Sequence, residues 1–191
     1  MKTDVNNYVD EKARTIYNTK TNSISLKKEY GLSEKLIKEL SKEKQEPDWV
    51  LNIRLKALKL FYELTDPDWG PDISYLDINK IATYVKPINN EKRSWDDVPE
   101  DIKNVFDKLG IPEAEKASLA GSGAQFDSEV VYHNLTEDLQ KQGIIYTSFD
   151  EGIRKYPELV KEYFTKAVPI NDHKYIALHY ALFSGGSFVY I

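Results

Sequence analysis

Residues Glu46–Tyr75 read EPDWVLNIRLKALKLFYELTDPDWGPDISY, and this stretch decides the architecture because it joins the strongest helix pattern in the chain to the signal that stops it. Pro47 prepares a helical start, Asp48 is the expected N-cap and Trp49 opens the first turn, so that a carboxylate meets amides without intrahelical partners. Trp49, Val50, Ile53, Ala57, Leu60, Phe61 and Leu64 recur at the helical period, and Leu51, Leu55, Leu58 and Tyr62 widen the apolar side beyond a narrow stripe. Such a helix must be covered on most of its circumference. Thr65–Asp72 then ends it, because Pro67 and Pro71 cannot donate to a continuing ladder and Gly70 permits a tight reversal.

Upstream, residues 1–22 are polar and carry scattered Val5, Tyr8, Val9, Ile16 and Tyr17 without a period, the pattern of a loosely held tail. Ile24–Tyr30 reads equally as a short extended or helical piece. Gly31-Leu32-Ser33 leads into a capped helix over Glu34–Lys44 with Leu36, Ile37 and Leu40 on one face, expected to be mostly a solvated lid. Downstream, Leu76–Lys86 stays open between a short helix through Ile78, Ile81, Tyr84 and Val85 and an extended run ending at Pro87. Asn89–Asp97 is a charged loop. Asp97-Val98-Pro99-Glu100 begins a helix lined by Val98, Ile102, Phe106 and Leu109 and closed by Gly110. Pro112–Ala120 adds one or two turns, broken by Gly121-Ser122-Gly123.

The last third changes character. Gln125–Tyr132 favours a strand, Thr136 caps a short helix through Gln142 that stops at Gly143, and Ile144–Thr147 is a second brief strand. Ser148 caps a helix whose Phe149, Ile153 and Tyr156 face inward, and Pro157 restarts it as far as Ala167. Asn171 or Asp172 opens a final helix from His173 to about Phe183, with Tyr175, Ile176, His179, Tyr180 and Phe183 as its apolar positions. After the Ser184-Gly185-Gly186 reversal, Ser187–Ile191 reads as a strand. It needs a ladder, either from the strands near Val131 or Ile145 or from a neighbour that is missing; the second is preferred, as in a chain cut where another domain begins. The fold class is α+β, predominantly helical with a few short strands: a tail over residues 1–22, a helical domain over 23–183, and the start of a second unit at 184–191.

Composition bounds the function. At 191 residues, with 41% hydrophobic and 30% charged side chains, the chain can bury one substantial core or two small ones. A net charge of −5 argues against a nucleic-acid surface, since phosphate neutralisation needs clustered Lys and Arg. No run approaches the roughly 18 apolar residues of a membrane span, and the N-terminus lacks the apolar block of a signal peptide, so a cytoplasmic location is expected with no membrane partner. The absence of cysteine excludes a disulfide framework, a thiolate nucleophile and any cysteine-ligated cluster within these residues.

Among candidate chemical groups, His133, His173 and His179 would have to supply the site of a self-contained metal- or ligand-binding enzyme, the alternative reading. The six-position spacing of His173 and His179 places them on different faces of a helix, unlike an i, i+4 pair. Asp66, Asp68 and Asp72 resemble a cation loop only superficially, because the interspersed prolines spoil the ligand offsets; turn and capping roles are preferred. Gly121-Ser122-Gly123 lacks the strand-to-helix unit of a phosphate site and reads as a hinge. Glu129 with His133, and Asp150 with Glu151, could be drawn as acid–base pairs but lack a nucleophile. Trp69 and Trp95, in polar loops, are the candidate partner-docking residues; no catalytic, cofactor-binding or metal-binding residue is assigned.

Taken together, Gly31-Leu32-Ser33-Glu34, Glu46-Pro47-Asp48-Trp49 with Arg54 and Ala57, Gly121-Ser122-Gly123-Ala124-Gln125-Phe126-Asp127-Ser128, Gln142-Gly143-Ile144-Ile145, Pro157-Glu158-Leu159-Val160, and Ala177-Leu178 leading into Ser184–Tyr190 form an ordered set. In that order they resemble the N-terminal part of SufB, the scaffold subunit of the SUF iron–sulfur cluster assembly system, in the SufB/SufD family. The resemblance covers most of residues 31–191. It implies that the strand beginning at Phe188 continues into a right-handed β-helix, and that the iron–sulfur cluster belongs to that absent core. It also implies SufC and SufD as partners, with ATP turnover by SufC, and sulfur donor or acceptor proteins as further contacts. Some family members carry cysteines in a loop corresponding roughly to Lys86–Asp97; this chain has none there, so no metal role carries over. The chain also lacks the phosphate-cradling G-x-x-x-x-G-K-[ST] pattern of an ATPase.

Overall fold

A computed structural model describes residues 26–87, 95–100, 103, 104, 107, 121–126 and 129–191. The expected tail over residues 1–22, the charged loop from Asn89 to Ser94, most of the helix expected up to Gly110 and the turns at Pro112–Ala120 lie outside the described residues. Pairing settles the segment that local sequence leaves open. β1 (Leu26–Tyr30) forms an antiparallel ladder with a return strand at Ala82–Pro87, with a register irregularity between Glu29 and Tyr30. α1 (Glu34–Glu43) is capped by Ser33, whose hydroxyl accepts from the Leu36 amide at 3.2 Å. It is not a solvated lid: Leu36, Ile37, Leu40 and Ser41 are all buried, because α1 packs against the organising helix.

That helix, α2, runs Asp48–Glu63. Pro47 occupies the cap position expected for Asp48, and no side chain caps the start; Asp48 is instead the first helical residue, where its charge still meets the positive end of the helix dipole. Val50, Arg54, Ala57, Leu58 and Phe61 are buried, whereas Tyr62 stays exposed and donates its hydroxyl to the Leu32 carbonyl at 2.8 Å. Beyond the Pro-rich loop, a single 3-10 turn at Ile78–Lys80 precedes β2 (Ala82–Pro87), so both readings of Leu76–Lys86 hold in succession. Further on, Glu100, Lys103, Asn104 and Asp107 are helical and Val98 is buried, as expected for the start of that helix.

Gly121-Ser122-Gly123 is not a hinge. It opens β3 (Gly121–Phe126), which pairs antiparallel with β4 (Glu129–Leu135), Ser122 opposite Asn134 and Gly123 opposite His133. A partner strand overrides the poor intrinsic strand preference of Gly and Ser. Next come α3 (Glu137–Lys141), β5 (Ile145–Ser148), α4 (Phe149–Lys155) and α5 (Pro157–Tyr163). Ser148 caps α4 as expected, accepting from the Glu151 amide at 3.3 Å, whereas Thr136 makes no side-chain cap on α3. α5 stops four residues before the expected Ala167, since Thr165 adopts a positive φ of 70° that no helix continues through.

α6 (Lys174–Leu182) is capped not by Asn171 or Asp172 but by His173, whose Nδ1 accepts from the Tyr175 amide at 3.2 Å; the Asp172 amide is held by the Pro169 carbonyl in the preceding turn. Gly185 and Gly186, at φ of 68° and 87°, make the reversal into β6 (Ser187–Tyr190). The preferred expectation that this strand has lost its neighbour is corrected: β6 pairs antiparallel with β5, Ile145 opposite Tyr190 and Ser148 opposite Ser187. The ladder reaches residues roughly forty positions upstream, which no local pattern displays. The described residues are thus α+β, with three two-stranded antiparallel sheets around a helical centre.

The centre is the antiparallel contact of α2 with α6. Ala57, Ala177 and Ala181 are fully buried, and their small side chains let the two backbones approach while Ile37, Leu58, Phe61, Ile170 and Tyr180 fill the surround. A second cluster gathers Val50, Ile153, Val160 and Phe183, with Trp49, Phe149 and Phe188 against it; Phe164 touches both clusters. Full burial of each such apolar side chain contributes roughly 1.5–3 kcal/mol.

Candidate docking surface

The turn that stops α2 is tied to the start of α6 by side chains rather than by backbone. Tyr175 donates its hydroxyl to Asp66 Oδ1 at 2.7 Å, and Lys174 Nζ lies 3.4 Å from Asp66 Oδ2 while sitting 5.3 Å from the centre of the Phe61 ring. Tyr175 holds the Asp66 carboxyl below the usual carboxylate range, with Lys174 adding to the effect, and the same bond pushes Tyr175 up to about 12. Further along, Asp72 Oδ1 accepts from the Ser74 amide at 3.0 Å, the turn role expected for it, and that bond lowers its pKa.

These contacts frame a concavity of about 360 Å³ lined by residues 66–74 and Tyr175. Trp69 stands at its edge, 72% exposed, with its ring 5.3 Å from that of His173 in an edge-to-face arrangement. An indole exposed this far adds little to the core of its own molecule. Trp95, the other expected docking residue, begins a 3-10 turn at Trp95–Asp97, away in sequence from this loop.

The histidines do not converge among the described residues. His173 caps α6 beside Trp69, and His179 packs its ring against Tyr180 nearly two turns later. Burial, then the charge of Arg54, lowers the pKa of His179. His133 lies on β4, opposite Gly123. No group of three or more His, Asp or Glu side chains is arranged to hold a metal ion among the described residues. The drawn acid–base pair Asp150 and Glu151 is engaged otherwise: Asp150 pairs with Lys44 at 2.7 Å, and Glu151 accepts from Thr147 and pairs with Lys155.

In the sequence Arg54 stands out only as part of a motif, and its role appears in three dimensions. Its side chain is fully buried; Nε and Nη2 reach the two carboxylate oxygens of Glu46 at 2.8 and 2.5 Å, Nη1 donates to the Ala181 carbonyl at 3.1 Å, and Nη2 donates to the Phe183 carbonyl at 2.9 Å. The guanidinium also lies 3.7 Å above the Phe183 ring. This arginine joins the first half of α2 to the end of α6, the helix that presents Tyr175 and Lys174 to the Trp69 loop. Beside that motif, the sequence signal for its burial is an arginine at an otherwise apolar helix position.

Comparison with known proteins identifies similar chains. The SufBD protein N-terminal region family matches residues 122–191. Proteins named as iron–sulfur cluster assembly SufBD family proteins match over 163 residues, 85% of this chain: 54% identical in Staphylococcus haemolyticus, 53% in Staphylococcus saprophyticus and 52% in Staphylococcus aureus strain USA300. The match covers 35% of each of those proteins, so the chain spans about a third of the length of the curated relatives it matches.

Proposed function

This chain belongs to the SufBD family, and on that premise we propose that it serves iron–sulfur cluster assembly as a non-catalytic support and docking domain of a SufB-type scaffold. The observation that carries the docking role is Trp69, 72% exposed on a loop held in place by the Asp66–Tyr175 and Asp66–Lys174 contacts. Rigid aromatic anchors of this kind dominate protein interfaces, because they contribute large contact area with little conformational entropy to lose. Trp95 is proposed as a second anchor.

The cluster is the cargo of such a system, and the donor set of this chain does not suit it. There is no cysteine among the 191 residues, and the described histidines and acids form no ligand group. On the resemblance to a SufB-type scaffold, the proposal places cluster chemistry in a β-helical core outside these residues, with SufD pairing and SufC-driven ATP turnover, in the cytoplasm. No helix among the described residues is long and apolar enough to cross a membrane. The alternative, an enzyme built on His133, His173 and His179, is disfavoured because His173 is engaged as a helix cap beside Trp69 while His179 packs on Tyr180.

The test places Trp69→Ala, alone and with Trp95→Ala, in the full-length protein and measures cluster formation with its sulfur donor and ATPase present. An unchanged melting temperature with at least about a tenfold loss of donor or acceptor affinity is expected for a central aromatic anchor. Assembly at the parental rate in the double variant, or ATP hydrolysis by this chain alone, overturns the proposal.

A further inference from the structure

Resting on that docking reading, we propose that the concavity beside Trp69 receives an arginine side chain from a partner protein. Its lining combines one exposed indole, the phenol of Tyr175 and three aspartates, Asp66, Asp68 and Asp72, with no basic residue among the lining side chains. Lys174 is not part of that lining but pairs with Asp66 Oδ2 at 3.4 Å, so Asp68 and Asp72 supply the uncompensated negative charge of the concavity. Carboxylates next to an open aromatic ring select a cation that can stack and donate hydrogen bonds at once, and a planar guanidinium does both. A metal ion is the poorer occupant. Asp66 Oδ1 accepts from Tyr175 and Asp72 Oδ1 from Ser74, and no ligand group for a metal is arranged among the described residues.

The volume of about 360 Å³ falls in the range of side-chain and small-ligand sites. Asp66 is held ionised by its tyrosine bond, so its negative charge persists well into the acidic range. The loop is also organised in advance by its two tethers to α6, which lessens the ordering lost on binding.

The experiment titrates this chain with acetyl-arginine amide and follows the Trp69 indole N–H resonance, assigned by comparison with Trp69→Phe. A saturable shift with roughly millimolar affinity is expected. The variant Asp68→Asn/Asp72→Asn, which keeps the acceptor for the Ser74 turn, is expected to weaken it about three- to fivefold. Neutral acetyl-citrulline amide is expected to give no saturable shift. An unmoved indole, an equal response to citrulline, or an equal response to acetyl-lysine amide overturns the arginine assignment. If the indole stays unmoved while Trp69→Ala still weakens partner binding by the full-length protein, this inference fails and the docking reading stands. If arginine binds saturably while Trp69→Ala assembles clusters unimpaired, the docking reading fails, and with it the assignment of the arginine to a partner.

Discussion

Arg54 joins an ion pair, two backbone carbonyls and an aromatic ring in one buried cluster. Its partner Glu46 has only 2% of its side chain exposed, so the pair is buried on both sides. Removing one member of such a pair strands the other charge, and Arg54→Ala is expected to lower stability by about 3–5 kcal/mol in urea unfolding. The paired change Arg54→Met/Glu46→Gln removes both charges and should recover a large part of that loss; a double variant no more stable than Arg54→Ala would contradict this account. His179 carries a pH dependence of definite sign. Because its folded pKa lies below the ordinary histidine value of 6.5, the unfolded chain binds the proton more readily, so stability is complete above about pH 6.5 and falls as the pH drops below it. The melting temperature should therefore fall less between pH 7.5 and 5.5 in His179→Gln than in the parent protein.

At the scale of elements, α4 and β6 meet through a position where no side chain fits. A Cβ on Gly152 would stand 2.9 Å from both Cβ and Cγ of Phe188, and Phe188 also stacks on Tyr156 with ring centres 6.0 Å apart. Gly152→Ala must therefore push the strand away from the helix. The expected loss is roughly 1–3 kcal/mol, as for other overpacked contacts, despite the gain in helix propensity. Phe188→Gly, which removes both the Cβ and the Cγ that the new methyl meets, should relieve the clash, making the double variant more stable than the sum of the single changes; strict additivity would count against the contact. Element types are largely legible in the sequence: Ser33 and Ser148 cap the helices expected of them, and Pro157 starts α5. The Asp48 cap and the Asn171 or Asp172 cap are displaced by one or two positions, to Pro47 and His173, the latter through a local bond from the Tyr175 amide.

For the whole molecule, the terminal strand has two distinct edges. One is satisfied by β5; Val189 and Tyr190 are nevertheless exposed, at 54% and 45%. Strand edges with apolar side chains invite pairing with another copy. Val189→Lys is accordingly expected to reduce self-association in sedimentation velocity without lowering the melting temperature. Deleting residues 187–191 removes Phe188 from the second core as well, and should lower that temperature; equal stability of the two variants would show that β6 is not an integral part of the packed structure.

The sequence by itself determined the α+β class, the long α2 and the stop that follows it, the Ser33 and Ser148 caps, the absence of cysteine and the family resemblance. These follow from local periodicity, turn chemistry and residue inventory, which neighbouring residues specify. Tertiary structure alone decided that α1 is buried, that Gly121–Gly123 form a strand, that β6 pairs with β5, that Arg54 lies in the core and that Asp66 meets Tyr175. Each depends on groups far apart in the chain, and only the packing of the folded chain, above all α2 against α6, brings their charges, hydrogen bonds and apolar surfaces within reach.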